Sequence, residues 1–167
     1  MERTPIHDPC ESNGVDDALA LVAVPTQDPI ILETLLRPIT PEHTRRSPAD
    51  PNEWSIIEIL CHLRDYEHIF SQRSTLILQE EEPRLLVPES NDVLATLGQY
   101  KQQELRSVLT SLHTTRQTFI QILSALRKEQ WMRTGSYNDS FPVTLKEVVL
   151  QVIMHDIDHM EQLTPLL

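Results

Sequence analysis

Glycine is scarce in this sequence, with 3 residues among 167, and aromatic residues make up only 5%. An all-β fold uses glycine in its many turns, so this scarcity argues against a β-sandwich or a β-barrel. Apolar residues nevertheless make up 40% of the chain. The core must therefore be aliphatic, and the length suits one helical domain that closes a single core.

Cysteines are few, and the apolar runs are short. The 2 cysteines, Cys10 and Cys61, lie in a polar proline-containing stretch and in a helix-like run, which disfavours a disulfide between them. We interpret Cys61 as a buried, inert thiol. The longest apolar run, residues 18–24, is too short to cross a bilayer, and residues 1–9 show no secretory pattern. We therefore predict a cytoplasmic protein that has no membrane partner.

Positive charge is in the minority, because 14 lysines and arginines face 25 aspartates and glutamates, for a net charge of -11. Such a surface repels phosphate backbones, so we do not expect nucleic acid as a partner. A small-molecule substrate is the expected partner.

Four segments carry apolar residues at helical spacing. Residues 1–26 are predicted to form a loosely ordered arm, and the first helix begins near Pro29 and ends at Pro38. The second helix follows Ser55, where Glu58 completes a capping box, and continues to about residue 79.

A third helix is predicted from about residue 93 to 128, followed by a connection at residues 133–142. The fourth helix opens at Thr144, and Glu147 forms a second capping box. Residues 27–167 are thus predicted to form an all-α domain, a four-helix bundle.

Histidines provide the strongest chemical pattern. His155 and His159 lie four residues apart, which places both rings on one side of the fourth helix. His62 lies on the flank of the second helix, and a third ring would complete a set that leaves one metal position open. The alternative is that these are packed or solvated side chains, because an isolated pair at this spacing is a weak signal. The remaining histidines are interpreted as surface residues: His7, His43, His68 and His113.

Two charged residues interrupt apolar stripes. Asp156 falls in the stripe of the fourth helix, and Arg116 lies between Leu112 and Phe119 in the third. A buried charge is costly unless it is paired, so we expect Asp156 and Arg116 to contact each other. They either orient the histidines or bind an anionic substrate, or else they form a structural ion pair or the Arg116 side chain extends out to solvent.

The stretch WSIIEILCHLRDYE, residues 54–67, resembles the second-helix motif of the DinB-like (damage-inducible, YfiT-like) proteins. The stretch HDIDHMEQL, residues 155–163, resembles the last-helix motif of that family, and the resemblance covers about residues 28–163. Similar residues occur between the motifs: Arg73, Pro83, Tyr100, Arg116, Trp131, Arg133 and Gly135. The resemblance implies a four-helix bundle, often a homodimer, in which His62, His155 and His159 hold a divalent metal ion.

The resemblance further implies a metal-dependent enzyme of the thiol S-transferase or hydrolase type. Zinc or nickel is the expected ion, with iron or manganese as alternatives, and a low-molecular-weight thiol is a candidate cofactor. No general base is assigned. The residues expected to orient the ligands or to contact substrate are Asp65, Tyr100, Arg116 and Asp156. The alternative function is a non-catalytic metal-binding or stress-related helical module.

Overall fold

The computed structural model describes residues 28–50, 53–138 and 142–167, so the predicted N-terminal arm lies outside the described residues. Within these ranges the helices are α1 (Asp28–Leu36), α2 (Pro41–Thr44), α3 (Ile56–Gln79), α4 (Asn91–Leu97), α5 (Leu105–Ser124) and α6 (Leu145–Leu163). Short 3₁₀ turns occupy Tyr100–Gln102, Lys128–Met132 and Thr164–Leu166, and the strands are β1 (Thr134–Ser136) and β2 (Pro142–Thr144).

Helices α1, α3, α5 and α6 form the bundle, in agreement with the predicted all-α four-helix fold. The central helix is α3, which packs against both α5 and α6, while α1 packs against α5. None of the described helices is long and apolar enough to cross a bilayer.

Both predicted capping boxes are present. The backbone amide and hydroxyl of Ser55 donate to Glu58 Oε2 at 3.0 and 2.5 Å. At the other site the Thr144 amide donates to Glu147 Oε2 at 2.7 Å, and the Glu147 amide donates to Thr144 Oγ1 at 3.2 Å. Each box satisfies amides that a helix start leaves free. They set the starting points of α3 and α6, the two helices that carry the histidines.

The prediction of one helix over residues 93–128 is wrong, because the chain breaks between α4 and α5. Gln99 has φ 47° and ψ 48°, a left-handed conformation that turns the chain. The turn inserts Tyr100 into the core, where it is 1% exposed. A Cβ on Gly98 would lie 2.6 Å from Tyr100 Cε1, so the close approach requires glycine.

The predicted connection before α6 contains a small antiparallel sheet. Thr134 of β1 pairs with Thr144 of β2, and Gly135 pairs with Val143. Arg133, just before β1, donates from Nε to the Ile77 carbonyl at 2.6 Å and from a terminal nitrogen to the Glu80 carbonyl at 2.5 Å. This connection therefore caps the end of α3 as well as leading into α6.

The apolar core has two clusters. One surrounds Phe70, Phe119 and Val152, and the other surrounds Leu60 and Leu112. On each of α3, α5 and α6 a buried charged residue lies between the two clusters: Glu67, Arg116 and Asp156. The three histidines are carried close to this layer by α3 and α6.

Candidate metal centre

The rings of His62, His155 and His159 converge in the middle of the bundle. Nε2 of His62 lies 3.0 Å from Nε2 of His155, and one nitrogen from each of the three rings lies within 4.8 Å of the others. The convergence predicted from the spacing is therefore present in the structure. Whether these rings hold an ion stays a prediction.

The helices explain this arrangement. One turn of α6 separates His155 from His159, and their ring centroids are 4.5 Å apart. His62 on α3 approaches both, with centroid distances of 5.0 and 4.6 Å. Since α3 packs directly against α6, a residue on the flank of each helix faces the same space.

Aromatic rings surround the histidines. Tyr66 stacks on His155 with centroids 4.6 Å apart, and Phe70 meets His155 edge to face at 5.7 Å. Trp54 approaches His62 at 5.0 Å. These contacts limit the rotation of the imidazoles and cover part of the cluster.

Nε2 is the candidate ligand atom of each ring. Nδ1 of His159 donates to Gln162 Oε1 at 2.9 Å, which frees Nε2 to bind an ion. Nε2 of His62 and Nε2 of His155 form a hydrogen bond in which one donates and the other accepts. A cation between these atoms would replace that proton. The donor set therefore fits a divalent metal ion held by three neutral nitrogens.

All three imidazoles have lowered pKa values. Burial, and then the neighbouring His159, lower the pKa of His62 to about 4. Burial, followed by His159, His62 and Arg116, lowers the pKa of His155 to about 3. Burial also lowers the pKa of His159. The rings are consequently neutral at pH 7, which is the form that binds metals.

We expect the metal-free protein to lose stability as the pH falls from about 6.5 to about 4. The unfolded chain takes up protons on these histidines near pH 6.5, whereas His62 in the folded protein does so only near its pKa of about 4. His62 alone should contribute about 3 kcal/mol to the loss. Urea unfolding in the presence of a chelator at pH 7, 6, 5 and 4 measures it. His62→Gln should reduce the dependence of the free energy of unfolding on pH, whereas His68→Gln, at an exposed position, should not. The same pH dependence in both variants would contradict the lowered pKa of His62.

Asp65 and Tyr100 contact each other. The Tyr100 hydroxyl donates to Asp65 Oδ2 at 2.7 Å, and Arg64 Nε donates to Asp65 Oδ1 at 2.7 Å. Burial and the bond to Asp65 raise the pKa of Tyr100, so its hydroxyl stays protonated. Asp65 also acts electrostatically on His62. This pair supports the α3 side of the cluster.

Arg116 forms an ion pair with Asp156, as expected, and also with Glu67, which the sequence reasoning missed. The terminal nitrogen of Arg116 lies 2.6 Å from Glu67 Oε2 and 2.9 Å from Asp156 Oδ2. The same rule that selected Arg116 would have found Glu67, because it lies between Leu63 and Phe70 in an apolar stripe. With a side chain only 3% exposed, Arg116 lies inside the bundle, which favours the structural ion pair over binding of an anionic substrate.

A cleft of about 400 Å³ opens beside His159. Its walls include Glu53, Trp54, Asn91 and Gln162. Neither Arg116 nor Tyr100 is among the described residues that line it. The sequence pattern had not indicated this cleft, although Gln162 lies one helical turn beyond His159. A small molecule in the cleft can reach the histidine cluster from this side.

Cys61 does not join the cluster. It is completely buried, and its thiol lies 3.8 Å from the Tyr100 carbonyl oxygen. Burial is the main cause that raises the pKa of this thiol to about 12. The interpretation of Cys61 as an inert thiol agrees with this environment.

Comparisons with known proteins agree with this fold. A family model described as the DinB superfamily matches residues 28–163. Among solved structures, YfiT from Bacillus subtilis aligns with a TM-score of 0.80 and 20% identity, over 99% of this chain and 91% of that chain. YfiT is described as a probable metal-dependent hydrolase with an unusual four-helix bundle topology. At this identity the likeness establishes the fold. No curated protein matches the sequence.

Proposed function

The chain belongs to the DinB superfamily, and from that premise we propose that it is a metal-dependent enzyme whose divalent ion is held by His62, His155 and His159. The observation that carries the proposal is the convergence of three neutral imidazoles beside an open cleft. Three protein ligands leave a position for water or substrate, which is the layout of catalytic rather than structural sites.

The proposed reaction is hydrolysis or thiol S-transfer. When bound, the ion would lower the pKa of a water or thiol toward neutrality and so supply a nucleophile. The description of YfiT supports hydrolysis, and the family resemblance supports either reaction. The chain's own contribution is positional: Gln162 fixes the His159 ring, and Tyr66 and Trp54 shield the cluster.

Zinc or nickel is the proposed ion, since neutral imidazoles suit both. Iron and manganese are the alternatives. Elemental analysis of purified protein identifies the ion. Zinc-loaded and metal-free forms are then compared for hydrolysis of p-nitrophenyl esters and for conjugation of low-molecular-weight thiols to an electrophilic bimane. Turnover that appears only in the loaded form supports the proposal, and turnover independent of metal contradicts it.

Chelation is expected to remove the ion and leave the helices intact. Two apolar clusters stabilise the bundle on either side of the histidines, so the fold does not depend on the ion. Treatment with EDTA, followed by elemental analysis and far-UV circular dichroism, tests this. If the helical signal disappears together with the ion, the site is structural and the catalytic assignment is wrong.

A non-catalytic module that acts by association is the alternative. One observation favours it: Leu150, Met154 and Ile157 are exposed by 39%, 57% and 46% and share one side of α6. The homodimer stays a prediction, and light scattering on the purified protein tests it. The cytoplasmic location also stays a prediction. A dimer without metal-dependent turnover would favour this alternative over the enzyme.

A further inference from the structure

We infer that the walls of the cleft beside His159 favour a substrate that carries an ammonium group over one that carries a carboxylate. The inference rests on the proposed function and names the substrate class of the same site. It also favours hydrolysis over transfer from a thiol that carries carboxylates.

The side-chain charge that the described walls contribute is negative, and it lies beside the positive charge that a bound ion would bring. Glu53 lies on a wall of the cleft, and within the described part of the chain no lysine or arginine lines it. Asp158 adds a negative field at His159. Recognition of a carboxylate or phosphate by side chains uses arginine or lysine, and the described walls offer neither.

The amide groups of Asn91 and Gln162 offer hydrogen-bond donors on the walls. The Tyr66 hydroxyl donates to Asn91 Oδ1 at 3.2 Å, and Nδ1 of His159 donates to Gln162 Oε1 at 2.9 Å. Each amide oxygen is thus engaged by the protein, and each amide nitrogen keeps its two hydrogens for a ligand. A carbonyl oxygen can accept from these amide donors.

Besides Glu53 and the two amides, the cleft has an aromatic wall. Trp54, which also contacts His62, lines the cleft together with Leu166. An indole attracts cations as well as apolar groups. A carbonyl placed near the histidines and an ammonium group near Glu53 and Trp54 would satisfy all three walls.

The test uses three thiols that share an HS–CH2–CH2 frame and end in ammonium, hydroxyl or carboxylate: cysteamine, 2-mercaptoethanol and 3-mercaptopropionate. Cobalt(II)-loaded protein reports thiolate binding by its charge-transfer absorption, so dissociation constants are measured without turnover. The three thiols differ in acidity, so their affinities for one protein cannot be compared directly. The diagnostic quantity is the ratio of cysteamine affinity to mercaptopropionate affinity, compared between the wild type and a variant that lacks the Glu53 charge. The ratio should fall about three- to tenfold in Glu53→Gln, and should also fall in high salt.

Glu129→Gln, an exposed substitution outside the cleft walls, is the control and should leave the ratio unchanged. A ratio that does not respond to Glu53→Gln, or tighter binding of the carboxylate than of the ammonium thiol after correction for acidity, overturns the inference and leaves the metal centre standing. Failure of the protein to bind cobalt overturns the proposed function as well.

Discussion

His62→Ala is expected to lower the affinity for a divalent ion by more than about a hundredfold. Mutation of a residue that only supports a ligand lowers metal affinity about 10- to 100-fold. Loss of a ligand itself should lower the affinity by at least that much. His62 is 2% exposed and is the ring that α3 contributes, so no neighbour can replace it. Titration of metal-free protein with zinc or nickel by calorimetry, in competition with a chelator, measures the change.

His68→Ala is the matched control, because His68 lies on the same helix but is exposed. His159→Ala gives a second measurement at a half-buried position, where truncation disturbs the core less. Both ligand variants should weaken binding while the control keeps wild-type affinity. Equal affinities in all three variants would show that the ion binds elsewhere or that the histidines only pack together.

Arg116→Met is expected to lower the free energy of unfolding by about 3–5 kcal/mol. Arg116 forms ion pairs with two buried carboxylates, those of Glu67 and Asp156, which are 2% and 7% exposed. Removing the guanidinium leaves both carboxylates near each other without their cation. Asp156→Ala should cost less, about 1–3 kcal/mol, because Glu67 still pairs with Arg116.

A double-mutant cycle of Arg116→Met and Asp156→Ala, followed by urea unfolding, measures the coupling between them. Arg106→Met is the matched control, since Arg106 lies on the same helix and is exposed. We expect a coupling of at least about 1 kcal/mol and little effect of the control. Additive effects would mean that the short contacts contribute nothing to stability, and that this layer does not position the histidines.

The buried charges explain how three helices keep the histidines aligned. Asp156 directly follows His155 on α6, Glu67 is one helical turn and one residue beyond His62 on α3, and Arg116 reaches both from α5. An apolar interface tolerates sliding of one helix along another, whereas a paired charge permits one register. The metal affinity of Arg116→Met should therefore fall along with its stability.

Local features of the fold could be predicted from the order of residues alone. Capping boxes at Ser55 and Thr144 and apolar residues at helical spacing placed α3 and α6 correctly, since hydrogen bonds between neighbours and burial of one helix face are encoded over a few residues. The pair His155 and His159 also depends on local geometry alone. The same spacing placed the start of the third predicted helix too early, because the apolar pattern continues across the turn at Gln99.

Most contacts between helices could not be predicted in this way, because they depend on how the helices pack. The turn at Gln99 is stabilised by burial of Tyr100 against α3, a contact that local pattern does not contain. The pairing of Arg116 with Glu67 depends on the register between α3 and α5. The cleft joins Glu53 and Asn91 to the end of α6, three places far apart in the chain. Side-chain spacing along one helix follows from the backbone, but the choice of partner on another helix follows from how the apolar faces pack.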